Sequence, residues 1–170
     1  MQQEKWFDRK FALGLPVASF PPILVRLRST PDRIEAALTG VSPDLLTRRA
    51  GDAWSIQENI GHLLDLESLW EQRLDDFDAG AKVLRPADLE NRQTHEANHN
   101  ARDVDDLLHE FRAARLRIVS RLERMDDSAL SRVALHPRLQ QPMSVVDLAF
   151  FVAGHDDHHL VTIAQPLPLK

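Results

Sequence analysis

Two histidines near the carboxyl end of the sequence, His155 and His159, have the spacing of metal ligands. Side chains four residues apart are neighbours on one face of an α-helix, so the two imidazoles can converge on a single ion. Apolar residues recur at three- and four-residue steps on the same face, namely Leu148, Val152 and Ile163. The spacing also occurs in the HExxH motif of metalloproteases, although Asp156 stands here where that motif has glutamate. The pattern predicts a divalent-metal site on a helix that faces the core.

A third ligand is expected, because three protein ligands and a water molecule form the usual catalytic zinc site. His62 is the best candidate, since it lies beside Leu63 at the inward edge of another amphipathic segment. Glu58 precedes His62 by four residues and Asp65 follows it by three, so either carboxylate can accept the second imidazole proton or assist catalysis. The alternative, in which all three histidines are buried core residues that bind no metal, stays open on spacing alone.

A second pair of histidines, His95 and His99, has the same four-residue spacing. It is a weaker candidate for metal binding, because it lies in a polar segment, residues 79–101, that has no clear helical pattern. Together with Asp88 and Asn91, this pair is expected to line a substrate pocket, an expectation that rests on position alone.

Three further histidines carry weaker signals. His158 is rotated by about 100° from His159 around the helix, which places it nearer the flank and leaves its role open. His109 and His136 lie outside any apolar stripe, so both are expected to be surface residues.

The amino-acid composition limits the chemistry further. The sequence has no cysteine and no tyrosine, so it offers no disulfide, no thiolate ligand, no cysteine nucleophile and no phenolic acid. Any metal site must therefore use the eight histidines and the carboxylates. The net charge of −5, with no basic block, argues against a nucleic-acid partner. Neither a signal peptide nor a run of about 20 apolar residues is recognised, so a cytoplasmic protein without membrane contact is expected.

Four amphipathic segments must position these side chains. Their apolar periodicity predicts helices at about residues 21–39, 55–77, 103–125 and 144–165. An aromatic arm over residues 1–20 is expected to lie on the helices and to cover apolar surface. Four such helices in one domain, residues 21–166, predict an all-α four-helix bundle. Residues 126–143 are expected to be a connection.

Capping and proline signals mark the ends of these helices. Ser55 and Glu58 form a capping box at the start of the second helix, and the fourth helix has a similar start. Pro31 predicts either a kink or a new helix start within the first segment. The fourth helix is expected to end before two prolines, Pro166 and Pro168.

Two stretches of the sequence, WSIQENIGHL at residues 54–63 and HDDHHL at residues 155–160, carry a family resemblance. Together they resemble the DinB-like superfamily, which includes damage-inducible DinB proteins, bacillithiol transferases and mycothiol-dependent maleylpyruvate isomerases. The resemblance implies a bundle of up-down-down-up order, often assembled as a homodimer. It also implies a divalent metal, zinc or nickel in different members, held here by His62, His155 and His159.

Several reactions are compatible with such a metal site, because fold and ligands do not fix the chemistry. The resemblance favours a metal-dependent enzyme that transfers a low-molecular-weight thiol to an electrophilic small molecule. The absence of cysteine is consistent with this, since the sulfur would arrive with the cosubstrate. A metal-dependent hydrolase, with Glu58 or Asp65 handling protons, is one alternative. A non-enzymatic metal-binding stress-response bundle is the other.

Overall fold

Four long helices form the framework of the protein. A computed structural model describes residues 4–165. The long helices are α1 at Phe20–Leu38, α2 at Ile56–Asp78, α3 at Val104–Glu123 and α4 at Val145–Ala164. These bounds confirm the predicted helices, whereas the prolines expected to end the fourth helix, Pro166 and Pro168, lie outside the described residues. None of the helices in this part of the chain combines the length and hydropathy needed to cross a membrane.

Short elements connect the long helices. Brief α-helical turns lie at Pro43–Leu46, Arg92–Glu96 and Asp127–Leu130, and 3-10 turns at Trp6–Asp8, Val17–Ser19 and His99–Ala101. Strands β1 (Val133–His136) and β2 (Gln141–Ser144) form an antiparallel hairpin. The hairpin corrects the expectation that residues 126–143 are only a connection. Each strand has four residues and β2 contains Pro142, so the segment offers no alternation long enough to predict a strand.

The bundle places consecutive helices in an unusual order. Both α1 and α2 pack against α3 and α4, so that α1 lies diagonally opposite α2. α1 and α3 are antiparallel, α2 and α3 are parallel, and α2 and α4 are antiparallel, which gives the expected up-down-down-up order. The direction of α1 relative to α3 follows from the pairs Arg28–Glu123 and Asp32–Arg112. That of α2 relative to α3 follows from Glu67–Arg115 and Asp78–Arg121. That of α2 relative to α4 follows from Asn59–His159 and Trp70–Phe151.

Pro31 lies within α1, which continues through it as one helix rather than starting anew. Proline lacks the N–H that would bond the carbonyl four residues earlier, here that of Leu27. The guanidinium of Arg115 on α3 donates to that carbonyl at 3.2 Å instead. Arg115 also holds Glu67 of α2 and Asp156 of α4 in fully buried ion pairs. A single guanidinium therefore joins α3 to the other three helices at the centre of the bundle.

The amino-terminal arm is fastened to the start of α4. The N–H groups of Gly14 and Leu15 each donate to Oδ1 of Asp147 at 2.9 Å. The other oxygen of Asp147 accepts from the N–H of Ser144 and completes a capping box at that helix. Apolar residues of the arm pack against the core, namely Trp6, Phe11, Leu13 and Leu15. The arm therefore covers apolar surface as expected, and it brings Trp6 beside α4.

Candidate metal centre

Three buried histidines from two helices converge inside the bundle. His62 on α2 and His155 and His159 on α4 each offer a ring nitrogen, and these nitrogens all lie within 4.8 Å of one another. The two nitrogens from α4, both Nε2, are 3.2 Å apart. Because α2 and α4 are antiparallel neighbours, a residue early in α2 meets residues late in α4. The structure thus brings together the three residues that spacing had selected, and we refer to them as the triad.

The tautomer of His62 is set by a hydroxyl group that sequence analysis did not identify. Thr94 donates its hydroxyl proton to Oδ2 of Asp65 at 2.8 Å. Its oxygen therefore acts as the acceptor for Nδ1 of His62, 3.0 Å away. This arrangement keeps a proton on Nδ1 and leaves the Nε2 lone pair free for a metal. Asp65 is thus linked to His62 through Thr94, which is the support that metal-bound histidines normally have.

Asn59 sets the tautomer of His159 in a similar way. Its amide nitrogen donates to the carbonyls of Ser55, at 2.7 Å, and Trp54, at 3.3 Å. The amide oxygen must then face His159, and it lies 2.7 Å from Nδ1. Nδ1 therefore carries the proton, and Nε2 presents its lone pair towards His155. Asn59 lies one helical turn before His62, so the same stretch of α2 supplies both a ligand and a supporting group.

The triad fits a divalent cation on two grounds. A tetrahedral zinc site with Zn–N bonds of about 2.0–2.1 Å has nitrogens about 3.3–3.4 Å apart, close to the 3.2 Å between His155 and His159. Burial lowers the pKa of His62 to about 4, and burial, with the neighbouring imidazoles, lowers those of His155 and His159 well below their usual value. Neutral imidazoles are the metal-binding form.

All three tryptophans of the chain surround the triad. The ring of Trp54 lies 4.6 Å from that of His62, and Trp6 of the arm lies 4.9 Å edge-on to His155. The ring centre of Trp70 lies 6.0 Å from that of His155. These rings form walls of a cavity of about 670 Å³ that opens onto the triad. The arm therefore contributes to the site, which the sequence alone did not predict.

The two carboxylates expected to assist His62 have different positions. Glu58 accepts hydrogen bonds from Nε of the exposed Arg49, at 2.8 and 3.0 Å, and from its Nη2, and it completes the capping box with Ser55. The Arg49 guanidinium lowers the pKa of Glu58 to about 2. Glu58 is therefore held as an anion at the helix start, and its expected partnership with His62 is not formed. Asp65 is connected to His62, with Thr94 between them.

The four expected pocket residues divide into two pairs. Asp88 and Asn91 line the cavity, whereas His95 and His99 are not among its lining residues. His95 is exposed, with its ring 5.6 Å from Trp54. His99 is buried and its Nε2 lies 2.9 Å from the Asp65 carboxylate. The expected histidine pair does not share a helix, because the helical turn that holds His95 ends at Glu96.

Two histidines outside the triad, His136 and His158, also line the cavity. His136 is 2% exposed and lines the cavity, so its assignment to the surface is wrong. It is the last residue of β1, and this four-residue strand is too short to be predicted from alternation of apolar residues. His158 is half-buried and lines the cavity near Trp6, 5.7 Å between ring centres. His109 is exposed, as expected.

Comparison with known proteins agrees with this fold. A sequence model of the DinB superfamily matches residues 26–163. Among solved structures, the chain is similar to YfiT from Bacillus subtilis, with a TM-score of 0.78 and 18% identity. The match covers 91% of this chain and 89% of YfiT, which is described as a probable metal-dependent hydrolase with an unusual four-helix bundle topology. No protein of curated function matches the chain.

Proposed function

The chain belongs to the DinB superfamily, and we propose that it is a metal-dependent enzyme in which His62, His155 and His159 hold zinc or nickel. The observation that carries this proposal is the convergence of three buried imidazoles whose ligand nitrogens lie within 4.8 Å of one another. When bound by neutral ligands, a divalent cation keeps its full charge and supplies a Lewis acid that lowers the pKa of a thiol or a water molecule.

The surroundings of the triad support this chemistry. Thr94 and Asn59 accept the Nδ1 protons of two triad histidines, so the nitrogens that face one another keep their lone pairs. Trp6 and Trp54 lie against the imidazole rings of His155 and His62 and give that end of the cavity apolar walls. Apolar walls lower the local dielectric constant and so strengthen the attraction between a cation and an anionic reactant.

We further propose that the reaction transfers a low-molecular-weight thiol to an electrophilic small molecule. The chain has no cysteine, so the sulfur has to come from a cosubstrate. The cavity of about 670 Å³ lies well within the usual range for small-molecule sites. Two carboxylates are expected to act as bases, but both already have partners. Glu58 accepts hydrogen bonds from Arg49, and Asp65 is hydrogen-bonded to Thr94 and His99. Thiol transfer needs no carboxylate base once the thiol is ionised.

A metal-dependent hydrolase is the second candidate. The description of YfiT as a probable hydrolase favours it, as does the position of His158 on the wall of the cavity. In a hydrolase, this histidine would take the proton from the attacking water. Hydrolysis needs no thiol, so the two reactions are separable by assay.

The proposed metal site is tested by metal content per chain. Wild type, His62→Ala and His109→Ala are purified without added metal and measured by plasma mass spectrometry. His109 is exposed and is neither among the cavity-lining residues nor part of the histidine group that could hold a metal, so its variant is the matched control. We expect near-stoichiometric zinc or nickel in wild type and the control, and loss in His62→Ala. Metal absent from all three proteins after soaking would overturn the site and favour a non-enzymatic bundle.

The reaction is tested on the metal-loaded protein. Thiol consumption is followed with bacillithiol, mycothiol or glutathione and chlorodinitrobenzene as the electrophile. We expect turnover that requires both thiol and metal and that is lost in His62→Ala but retained in His109→Ala. Release of nitrophenol from nitrophenyl esters without any thiol would assign the protein to the hydrolases instead.

The proposal includes assembly as a homodimer in the cytoplasm, where such thiols are abundant. Light scattering on the metal-loaded protein checks the assembly, with twice the chain mass of 19.3 kDa expected. A monomer at micromolar concentration would remove the dimer from the proposal and leave the metal chemistry unaffected.

A further inference from the structure

A group of nitrogen donors lines the cavity beyond the triad. Arg73 of α2, His136 of β1 and Arg138 of the hairpin turn face the same space as the three triad histidines. Trp70 lies close to both groups, with its ring centre 6.0 Å from that of the His155 ring and 5.4 Å from the Arg73 guanidinium. The cavity therefore has a metal-binding end and a cationic end, and the ring of Trp70 is close to both.

Arg73 is a buried cation without a counter-ion of its own. It is 1% exposed, and within residues 4–165 no carboxylate oxygen lies within 4.0 Å of its guanidinium. Nε of Arg73 donates to the backbone carbonyl of Arg85 at 3.1 Å. The charge of Asp76 also acts on Arg73, but the Asp76 carboxylate is paired with the side chain of Arg85. Arg115 is equally buried but holds two carboxylates, as buried cations normally do. Burial lowers the pKa of Arg73 to about 10.

Arg138 adds a second cation with an unused donor. Its Nη2 is buried and has no hydrogen-bond partner among the described residues. Its guanidinium lies 5.3 Å over the ring of Phe7 on the arm. Two carboxylates line the same cavity, but Glu4 is exposed and Asp88 accepts hydrogen bonds from backbone N–H groups of its own turn. Neither forms an ion pair with Arg138 in the described part of the chain.

His136 adds a third N–H donor that needs an acceptor at the cationic end of the cavity. Nδ1 of His136 accepts a hydrogen bond from the N–H of Leu139 at 3.1 Å, so the neutral ring carries its proton on Nε2. That Nε2 lies 3.2 Å from Nη1 of Arg73, which is always a donor. Two N–H groups therefore face each other with no oxygen between them. An anionic oxygen placed beside them would accept from both and remove the conflict.

We propose that Arg73, His136 and Arg138 bind the anionic group of an organic substrate whose apolar body lies along Trp70 and reaches the triad. The chemical class is an organic anion, with a carboxylate or phosphate at one end and the reacting atom at the other. Planar guanidinium groups bind such oxyanions with charge-assisted hydrogen bonds. That the anion is a substrate rests on the proposed function, whereas its binding does not need the metal.

Binding of a matched pair of probes tests the inference. Phenylbutyrate carries a carboxylate, and phenylbutyramide has nearly the same shape without the charge. Because all three tryptophans line the cavity, quenching of intrinsic fluorescence reports its occupancy. The proteins are wild type, Arg138→Gln, His62→Ala and, as a control for loss of one positive charge, Arg117→Gln. Arg117 is exposed on α3 and is not among the cavity-lining residues.

We expect wild type and Arg117→Gln to bind the acid about tenfold or more tightly than the amide. Arg138→Gln should weaken binding of the acid about tenfold and change that of the amide by less than about twofold. His62→Ala should keep the preference for the acid, even if it has lost the metal. Equal binding of acid and amide to wild type, absence of quenching by millimolar acid, or a preference unchanged in Arg138→Gln would overturn the inference. A preference lost only in His62→Ala would place the anion on the metal, which would overturn the inference while supporting the metal site.

Discussion

Replacing Gly61 by alanine tests how the triad is supported. Gly61 lies on α2 beside His62, and a Cβ atom there would lie 2.2 Å from Cγ of the His99 ring and 2.3 Å from Cδ2. Such distances are impossible, and His99 is 2% exposed, so the ring has no free space into which to move. The ring must therefore leave its place and break its 2.9 Å contact with Asp65.

The expected cost follows from three contributions. Overpacking costs about 1–3 kcal/mol, and loss of the hydrogen bond to the Asp65 carboxylate costs about 1.5–3 kcal/mol. Alanine in a helix gains about 1 kcal/mol over glycine. We therefore expect Gly61→Ala to lower the free energy of unfolding by about 1.5–5 kcal/mol. Gly154 is the matched control, because it also precedes a triad histidine on a long helix and a Cβ there would meet nothing within 4 Å. Gly154→Ala should be neutral or stabilise by up to about 1 kcal/mol.

Urea unfolding of the metal-free proteins, followed by circular dichroism, measures these differences. A double-mutant cycle with His99→Ala identifies the cause. Since His99→Ala removes the ring that blocks the new methyl group, adding Gly61→Ala to it should cause no further loss of stability. The reasoning is refuted if Gly61→Ala is as stable as Gly154→Ala, or if its cost is the same in the presence and absence of the His99 ring.

Three further outcomes are expected. Removal of metal by chelation should lower the melting temperature yet leave a helical circular-dichroism spectrum, because the core does not depend on the ion; an unfolded spectrum would contradict this. Thr94→Val should raise the Kd for zinc about 10–100-fold, because it removes the group that supports the ligand His62. Thr39 is exposed, so Thr39→Val should leave the Kd unchanged. Competition with a chromogenic chelator measures both Kd values. The metal-free protein should lose stability as pH falls from about 6.5 to about 4, because the folded-state pKa values of His62 and His136 are about 4 and the unfolded chain takes up their protons first. In that pH window, each of the two histidines lowers the free energy of unfolding by up to about 1.4 kcal/mol per pH unit. Urea midpoints that stay level between pH 7 and pH 5 would refute the low folded-state pKa values of His62 and His136.

The long helices and the triad were predictable because both depend on periodicity. Apolar residues at three- and four-residue steps locate a helix and its buried face, and a histidine within that stripe must lie in the core. His155 and His159 are such residues, and His62 lies at the edge of the stripe on α2. The capping boxes at Ser55 and Ser144 also follow from local sequence, since each joins residues three positions apart.

Contacts between distant segments were not predictable in this way. Thr94 reaches His62 from a turn 32 residues further along the chain, and no local pattern marks it. His136 was assigned to the surface because nothing in its neighbourhood indicates the four-residue strand that buries it. The cationic end of the cavity depends on the hairpin turn that carries Arg138, so it could not be recognised before the hairpin was known.

Asp156 explains why the histidine pair of α4 differs from the metalloprotease motif that it matches in spacing. In HExxH, the residue after the first histidine is the general base. Here that residue is 1% exposed, paired with Arg115, and bonded to the hydroxyl of Thr30 at 2.8 Å. Its carboxylate joins α4 to α3 and α1 behind the ligands, so it cannot take up a proton in the cavity without breaking the central ion pair. Asp156 is therefore not available as a general base, and a hydrolytic reaction would have to use a base on the cavity wall, such as His158.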